Sequence, residues 1–164
     1  MCWAVVAALL HELGHWAAAR LAGAPVPRVV IGTGPRLVAF RWAGTLWDVH
    51  RYPVAGQARA ALVAPRLART KLVAIVAAGP LANAALLALC AAGGGATWLV
   101  AGAWANALHL GLSLFPWRCR SPQGPVLSDG LQIALLPRLS TAALHERLAA
   151  GHRAISLELC LAGD

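Results

Sequence analysis

Charge is what this chain has least of. Only 12% of its 164 residues are Asp, Glu, Lys or Arg, and six are acidic; a soluble domain carries about 25%. Hydrophobic residues make up 59% and the mean hydropathy is +0.64. This balance argues against an ordinary soluble globule and for a membrane protein. Paired cysteines are also missing. Cys2, Cys90, Cys119 and Cys160 show no CxxC spacing, so a zinc ribbon or dithiol redox motif is not expected, and they read as small apolar fillers and free thiols. There is no internal repeat, no low-complexity linker and no second half of the kind that transporters carry.

What is present is apolar length. A bilayer takes roughly 20 apolar residues in a helix, and three stretches supply them: about 1–22, 72–92 and 96–116. Gly93 to Gly95 make a tight turn between the last two. The first stretch lacks a basic leading region and holds Glu12, which argues for a span over a signal peptide. The net charge of +8 invites a nucleic-acid reading, but the distribution of charge opposes it. With three spans drawn, all 14 Lys and Arg fall on one side: Arg20, seven arginines from Arg28 to Arg69, Lys71, and five from Arg118 to Arg153. That is the positive-inside pattern. It predicts an integral, multi-pass protein of a bacterial-type plasma membrane, with Met1 outside and the 23–70 loop and C-terminus cytoplasmic. The lipid bilayer is then the partner, and no nucleic acid is expected.

The loop between the first two spans is too apolar for a linker. "VPRVVIGTGPRLVAF" and "TLWDVHRY" alternate loosely, with "GTGP" and "WAGT" as turns, predicting two to four short strands. "LQIALLPRL" predicts a helix from Asp129 that is interrupted near Pro137, and 141–161 reads as an amphipathic helix capped by Ser140 or Thr141.

"HELGH", His11 to His15, carries the chemistry. Residues i and i+4 share a helix face, so the two imidazoles can grip one zinc ion. Glu12 is turned about 100° away, poorly placed as a ligand and well placed to take a proton from a water at the metal. Coincidence would have to leave three ionisable side chains in an apolar helix, where such groups are costly and usually functional.

A catalytic zinc needs a third protein ligand. Asp129 and His109 are both candidates; Asp48, His50, Glu146 and Glu158 look solvated. Asp129 stands at a turn before Gly130, where it would also serve as an ordinary helix cap. In the second span, "GPLAN" interrupts helical regularity. Pro80 leaves a carbonyl free and Asn83 can supply hydrogen bonds, although a kinked packing helix with one buried Asn would read the same way.

Taken in order, HExxH, a strand-bearing segment, Gly79-Pro80-x-x-Asn83 and "LFP…SDG" ending at Asp129-Gly130 resemble the site-2 protease family of intramembrane zinc metalloproteases. The resemblance implies a mostly α, polytopic fold: a three-helix catalytic transmembrane core with a small membrane-associated β-hairpin between the first and second spans. It implies one peptidase core over 1–164, with a β-rich loop at 24–60 and cytoplasmic helices at 117–164. It implies one Zn2+ per chain on His11, His15 and Asp129, Glu12 as general base, and Asn83 with Gly79 and Pro80 as substrate-positioning residues. The expected substrate is a transmembrane protein or peptide, cut within or next to its membrane segment and held as an added strand on the hairpin. The metal would sit about 8 to 14 Å of helix above Arg20, reached by water from the cytoplasmic side. A catalytically inactive member of the family that binds without cutting is the alternative. Three positions depart from the family pattern: Ser128 replaces Leu before Asp-Gly, Ser113 replaces Asn before Pro116, and "RCRSPQG" lengthens the approach to Asp129.

Overall fold

A computed structural model describes residues 2–60, 62, 67–121 and 124–161; Met1, most of 61–66, and the side chains of Cys2, Glu158 and Cys160 lie outside the described set. Helix α1 (Cys2–Leu21) leads into a long hairpin, β1 (Arg28–Trp42) and β2 (Thr45–Arg59). Helices α2 (Ala68–Ala92) and α3 (Thr97–Leu114) follow, then a small hairpin β3 (Arg118–Ser121) and β4 (Gly124–Leu127). The chain continues as α4 (Asp129–Leu135), a 3-10 turn (Leu136–Arg138) and α5 (Thr141–Leu161). Ser140 caps α5, its Oγ accepting from the Ala143 N–H.

The described chain is mostly helical, with antiparallel hairpins as its only strands. Helices α1, α2 and α3 all pack against one another. One of the described helices, Ala68–Ala92, is long and apolar enough to cross a membrane by length and composition. The other two expected spans do form helices, but His11, Glu12, His15 and Arg20 dilute α1, and Asn106 and His109 dilute α3.

The strand region is more compact than the sequence suggests. Ala43 and Gly44 form a two-residue turn with φ of 50° and 75°, the left-handed geometry that matches strand twist. "GTGP" bends β1 without ending it, because Gly32 and Gly34 adopt φ of 84° and 83°, open to glycine without steric cost. The hairpin therefore doubles back on itself. Arg28–Ile31 is flanked by both halves of β2, Leu46–Val49 on one side and Gly56–Arg59 on the other. The expected short strands are the halves of two long bent ones.

The apolar core sits where this hairpin meets the C-terminal half of α1 and the start of α2: Ala19, Val29, Ile31, Trp47, Ala68 and Ile75. Gly14 sets the closeness of α1 and α2, since a Cβ there would lie 2.5 Å from the Ala78 carbonyl oxygen.

Asp48 corrects the sequence reading. It is fully buried, not solvated, because Arg28 reaches it through both Nε, at 2.7 Å, and Nη2, at 2.5 Å. Without Arg28 the buried carboxylate keeps only Arg36, whose Nη1 lies 3.6 Å from Oδ1, and is poorly compensated. Arg28→Ala should therefore destabilise the fold by about 3 kcal/mol, more than Asp48→Ala does, as read from unfolding midpoints of the two variants side by side.

Candidate metal centre

Helix α1 turns His11 and His15 to the same face, against the middle of α2. Both rings are anchored through Nδ1. His15 Nδ1 lies 2.8 Å from the Ile75 carbonyl oxygen. A carbonyl can only accept, so Nδ1 carries the proton and Nε2 keeps its lone pair. His11 Nδ1 lies 2.7 Å from Asn83 Oδ1, with the same consequence. Such outward Nδ1–H bonds are how metal-binding histidines are oriented.

The two Nε2 atoms face each other at 3.0 Å. Asp129 Oδ2 completes a triangle, 2.9 Å from His11 Nε2 and 3.5 Å from His15 Nε2. Three lone-pair donors converging in this way need a cation or a proton among them. Ligands around a tetrahedral zinc lie about 3.4 Å apart, so the spacing fits that ion to within a few tenths of an ångström. Among the described residues this is the grouping of His, Cys, Asp or Glu able to hold a metal. Burial pushes the Asp129 carboxyl up, but the two imidazoles beside it outweigh burial and lower its pKa to about 2. Asp129 thus enters the site as a carboxylate.

Asp129 reaches the site because it is not the helix cap. Ser128 is the N-cap of α4, its Oγ accepting from the Leu131 N–H, which leaves the Asp129 side chain free to turn inward. The lengthened approach does not loosen this placement. It folds as β3 and β4, whose base is closed by Ser128 N–H to the Trp117 carbonyl at 3.0 Å and Trp117 N–H to Ser128 Oγ at 3.2 Å. The serine that departs from the family pattern thus holds both the hairpin and the helix start. Gly130 lets α4 approach α3, since a Cβ there would fall on the Leu114 carbonyl.

Glu12 lies beside the triangle, 3% exposed. Its carboxylate is covered by the tail of β2, where a Cβ at Gly56 would strike it. Its Oε2 has no hydrogen-bond partner among the described residues. A buried carboxylate oxygen left without a donor is costly and suits a group that handles a proton.

Gly79 lies directly against both imidazoles, and Pro80 is buried beside it. Pro80 cannot donate to the carbonyl four residues back, that of Val76, which neighbours the Ile75 carbonyl that accepts from His15. Asn83 is fully buried with its amide engaged inside the protein: Oδ1 at His11, Nδ2 donating to the Ala7 carbonyl and to Asn106 Oδ1. Its Oδ1 therefore faces His11, and its Nδ2 faces Ala7 and Asn106. His109 stacks edge-on against His11, ring centroids 4.9 Å apart, without joining the triangle. Glu146 is exposed on α5, and His50 Nδ1 meets the Gly34 carbonyl. Sequence reasoning missed Asn106, which is fully buried; as a polar residue in an apolar span, it meets the criterion that singled out Asn83.

Two curated relatives match short stretches of this chain. One is named "Putative zinc metalloprotease slr1821" from Synechocystis sp., 45% identical over 47 residues, 29% of this chain and 13% of that protein. The other is "Putative zinc metalloprotease SA1105" from Staphylococcus aureus, 40% identical over 52 residues, 32% of this chain and 12% of that protein. The chain thus matches about an eighth of the length of these relatives. The family model of peptidase family M50 matches residues 3–154. The chain belongs to peptidase family M50, the site-2 protease family.

Proposed function

We propose that this chain is a zinc metalloendopeptidase core that cleaves membrane proteins within or next to a transmembrane segment. The observation that carries the reading is the buried triangle of His11 Nε2, His15 Nε2 and Asp129 Oδ2, with both Nδ1 atoms turned outward to acceptors and the Glu12 carboxylate alongside, its Oε2 without a partner among the described residues. In this reading residues 1–164 act as one membrane-embedded core. α1, α2 and α3 cross the bilayer, with the 23–70 loop and the C-terminal region on the basic, cytoplasmic side. Support comes from the exposed apolar residues along α2 and α3, among them Leu81, Leu89, Trp98, Trp104, Leu108 and Phe115. Large apolar side chains exposed in this number are a liability in water and ordinary in lipid.

One zinc ion held by His11, His15 and Asp129 would supply Lewis acidity to a water and to the scissile carbonyl. The chain's own residues do the rest. Glu12 accepts the proton of the attacking water at its free Oε2 and returns it to the leaving amine. Asn83 and the Ile75 carbonyl hold the two imidazoles in the ligating tautomer, so neither must reorient during the reaction. Gly79 and Pro80 serve the same end, one by its lack of a side chain and the other by its lack of an N–H in the turn beside Ile75. The tail of β2 over Glu12 keeps bulk water out, and a substrate segment would lie along the hairpin as an added strand. The substrate helix must unwind locally first, because a helical carbonyl is hydrogen-bonded and shielded.

The test is zinc per chain in detergent-purified protein, wild type beside Asp129→Ala. About one zinc in wild type and near none in the variant is the expected result. Equal zinc in both would remove Asp129 from the ligand set, and none in either would remove the metalloprotease reading.

A further inference from the structure

We infer that Asn106 of α3 is a positioning residue for the metal site, acting on His11 through Asn83. It rests on the metal-site reading above. Asn106 is fully buried and touches no ligand directly. Its Nδ2 donates to the Gly102 carbonyl at 2.9 Å, and its Oδ1 accepts from Asn83 Nδ2 at 3.0 Å.

Which way each amide faces decides which tautomer His11 holds. An asparagine side chain has an accepting and a donating end, and a half-turn swaps them. The Gly102 carbonyl can only accept, so it fixes Asn106 with Nδ2 toward itself and Oδ1 toward Asn83. That acceptor, with the Ala7 carbonyl at 2.9 Å, takes both protons of Asn83 Nδ2. Asn83 must therefore present Oδ1 to His11, and His11 must hold its proton on Nδ1. The Nε2 lone pair is then directed at Asp129 and His15.

Swapping the Asn83 amide would put a donor against His11 Nδ1, move the ring proton to Nε2 and remove the lone pair a metal needs. Two fixed backbone carbonyls, Gly102 on α3 and Ala7 on α1, thus set a tautomer on α1 through a side chain of α2. His15 needs no such relay, because its Nδ1 meets the Ile75 carbonyl directly. Its wrong tautomer is already excluded, whereas that of His11 is excluded only while Asn83 stays fixed.

The test compares zinc affinity, by competition with a chromophoric chelator, in full-length protein in detergent. Wild type, Asn106→Leu and Asn106→Asp are each measured with and without metal, alongside their zinc-free unfolding midpoints. Asn106→Leu removes the acceptor facing Asn83 and should weaken zinc binding roughly 10- to 100-fold, the range for lost partners behind a ligand. Asn106→Asp, held neutral by burial, keeps an oxygen facing Asn83 while its O–H donates to the Gly102 carbonyl, and should restore affinity to within about threefold of wild type. Should the leucine variant not fold, Asn106→Ala, which also lacks the acceptor, is read in its place, with the same direction expected. Wild-type affinity in the variant lacking the acceptor would overturn the inference. So would equal weakening in Asn106→Asp with a lowered zinc-free midpoint, which marks a packing role alone. Absence of zinc from wild type would overturn the metal reading itself, an outcome distinct from either.

Discussion

Glu12→Gln is expected to abolish peptide cleavage while leaving one zinc per chain. The substitution keeps the size and shape of the side chain, so the covering tail of β2 at Gly56 has no steric reason to move. It removes only the ability to take and return a proton. Positioned general acid–base catalysis contributes about 10²- to 10⁴-fold, so residual cleavage should fall at or below detection. None of the three converging donor atoms belongs to Glu12, so zinc content should not change. The check is paired: zinc per chain, and cleavage of whichever reconstituted transmembrane peptide the wild type cuts. Cleavage that persists would remove Glu12 as the base. Zinc lost together with activity would mean the carboxylate supports the site's assembly instead.

Gly79→Ala should empty the site without unfolding the chain. The new methyl group would fall on His15 Nε2, with His15 Cε1 at 2.5 Å and His11 Cε1 at 2.9 Å. Neither ring can swing away cheaply, because Asn83 and Ile75 hold both by Nδ1. Alanine meanwhile favours the helix over glycine by about 1 kcal/mol, so α2 itself gains. The expected outcome is at least a hundredfold loss of zinc affinity, beyond the range for indirect partners, with helical content retained and the unfolding midpoint lowered modestly, since overpacking costs about 1–3 kcal/mol. Retained affinity would mean that α1 and α2 can part enough to admit a methyl group.

How much of this was legible in the sequence follows from how local each signal is. HExxH is legible because a helix brings i and i+4 together with no tertiary help. The expectation of strands after α1 rests on alternation, which survives in β1 and β2; their doubling back depends on φ values at Gly32 and Gly34 that alternation does not encode. Asp48 was misread because its partner Arg28 is 20 residues away, and a charge in a loop carries no mark of burial. Asn106 belongs to no motif, and its meaning comes from Asn83 on another helix. "RCRSPQG" held turn formers but no strand pattern, so the hairpin it contributes to could not be read from it. Asp129 was one of two local candidates until the family resemblance chose between them; what turns it inward is the cap at Ser128.

The closed base of that small hairpin has a consequence for how relatives of this chain are recognised. With Trp117 and Ser128 joined by two hydrogen bonds, the distance along the chain from Pro116 to Asp129 no longer sets the distance in space. Residues added or removed in pairs beyond the Trp117–Ser128 rung would preserve the pairing and leave the aspartate where it is. The cost of such length changes is small, about 0.6 kcal/mol for each doubling of a flexible loop. A search demanding a fixed spacing between the proline and the Asp-Gly would pass over chains built this way. One that asks for a hairpin-closing pair immediately before the aspartate would find them, whatever their length.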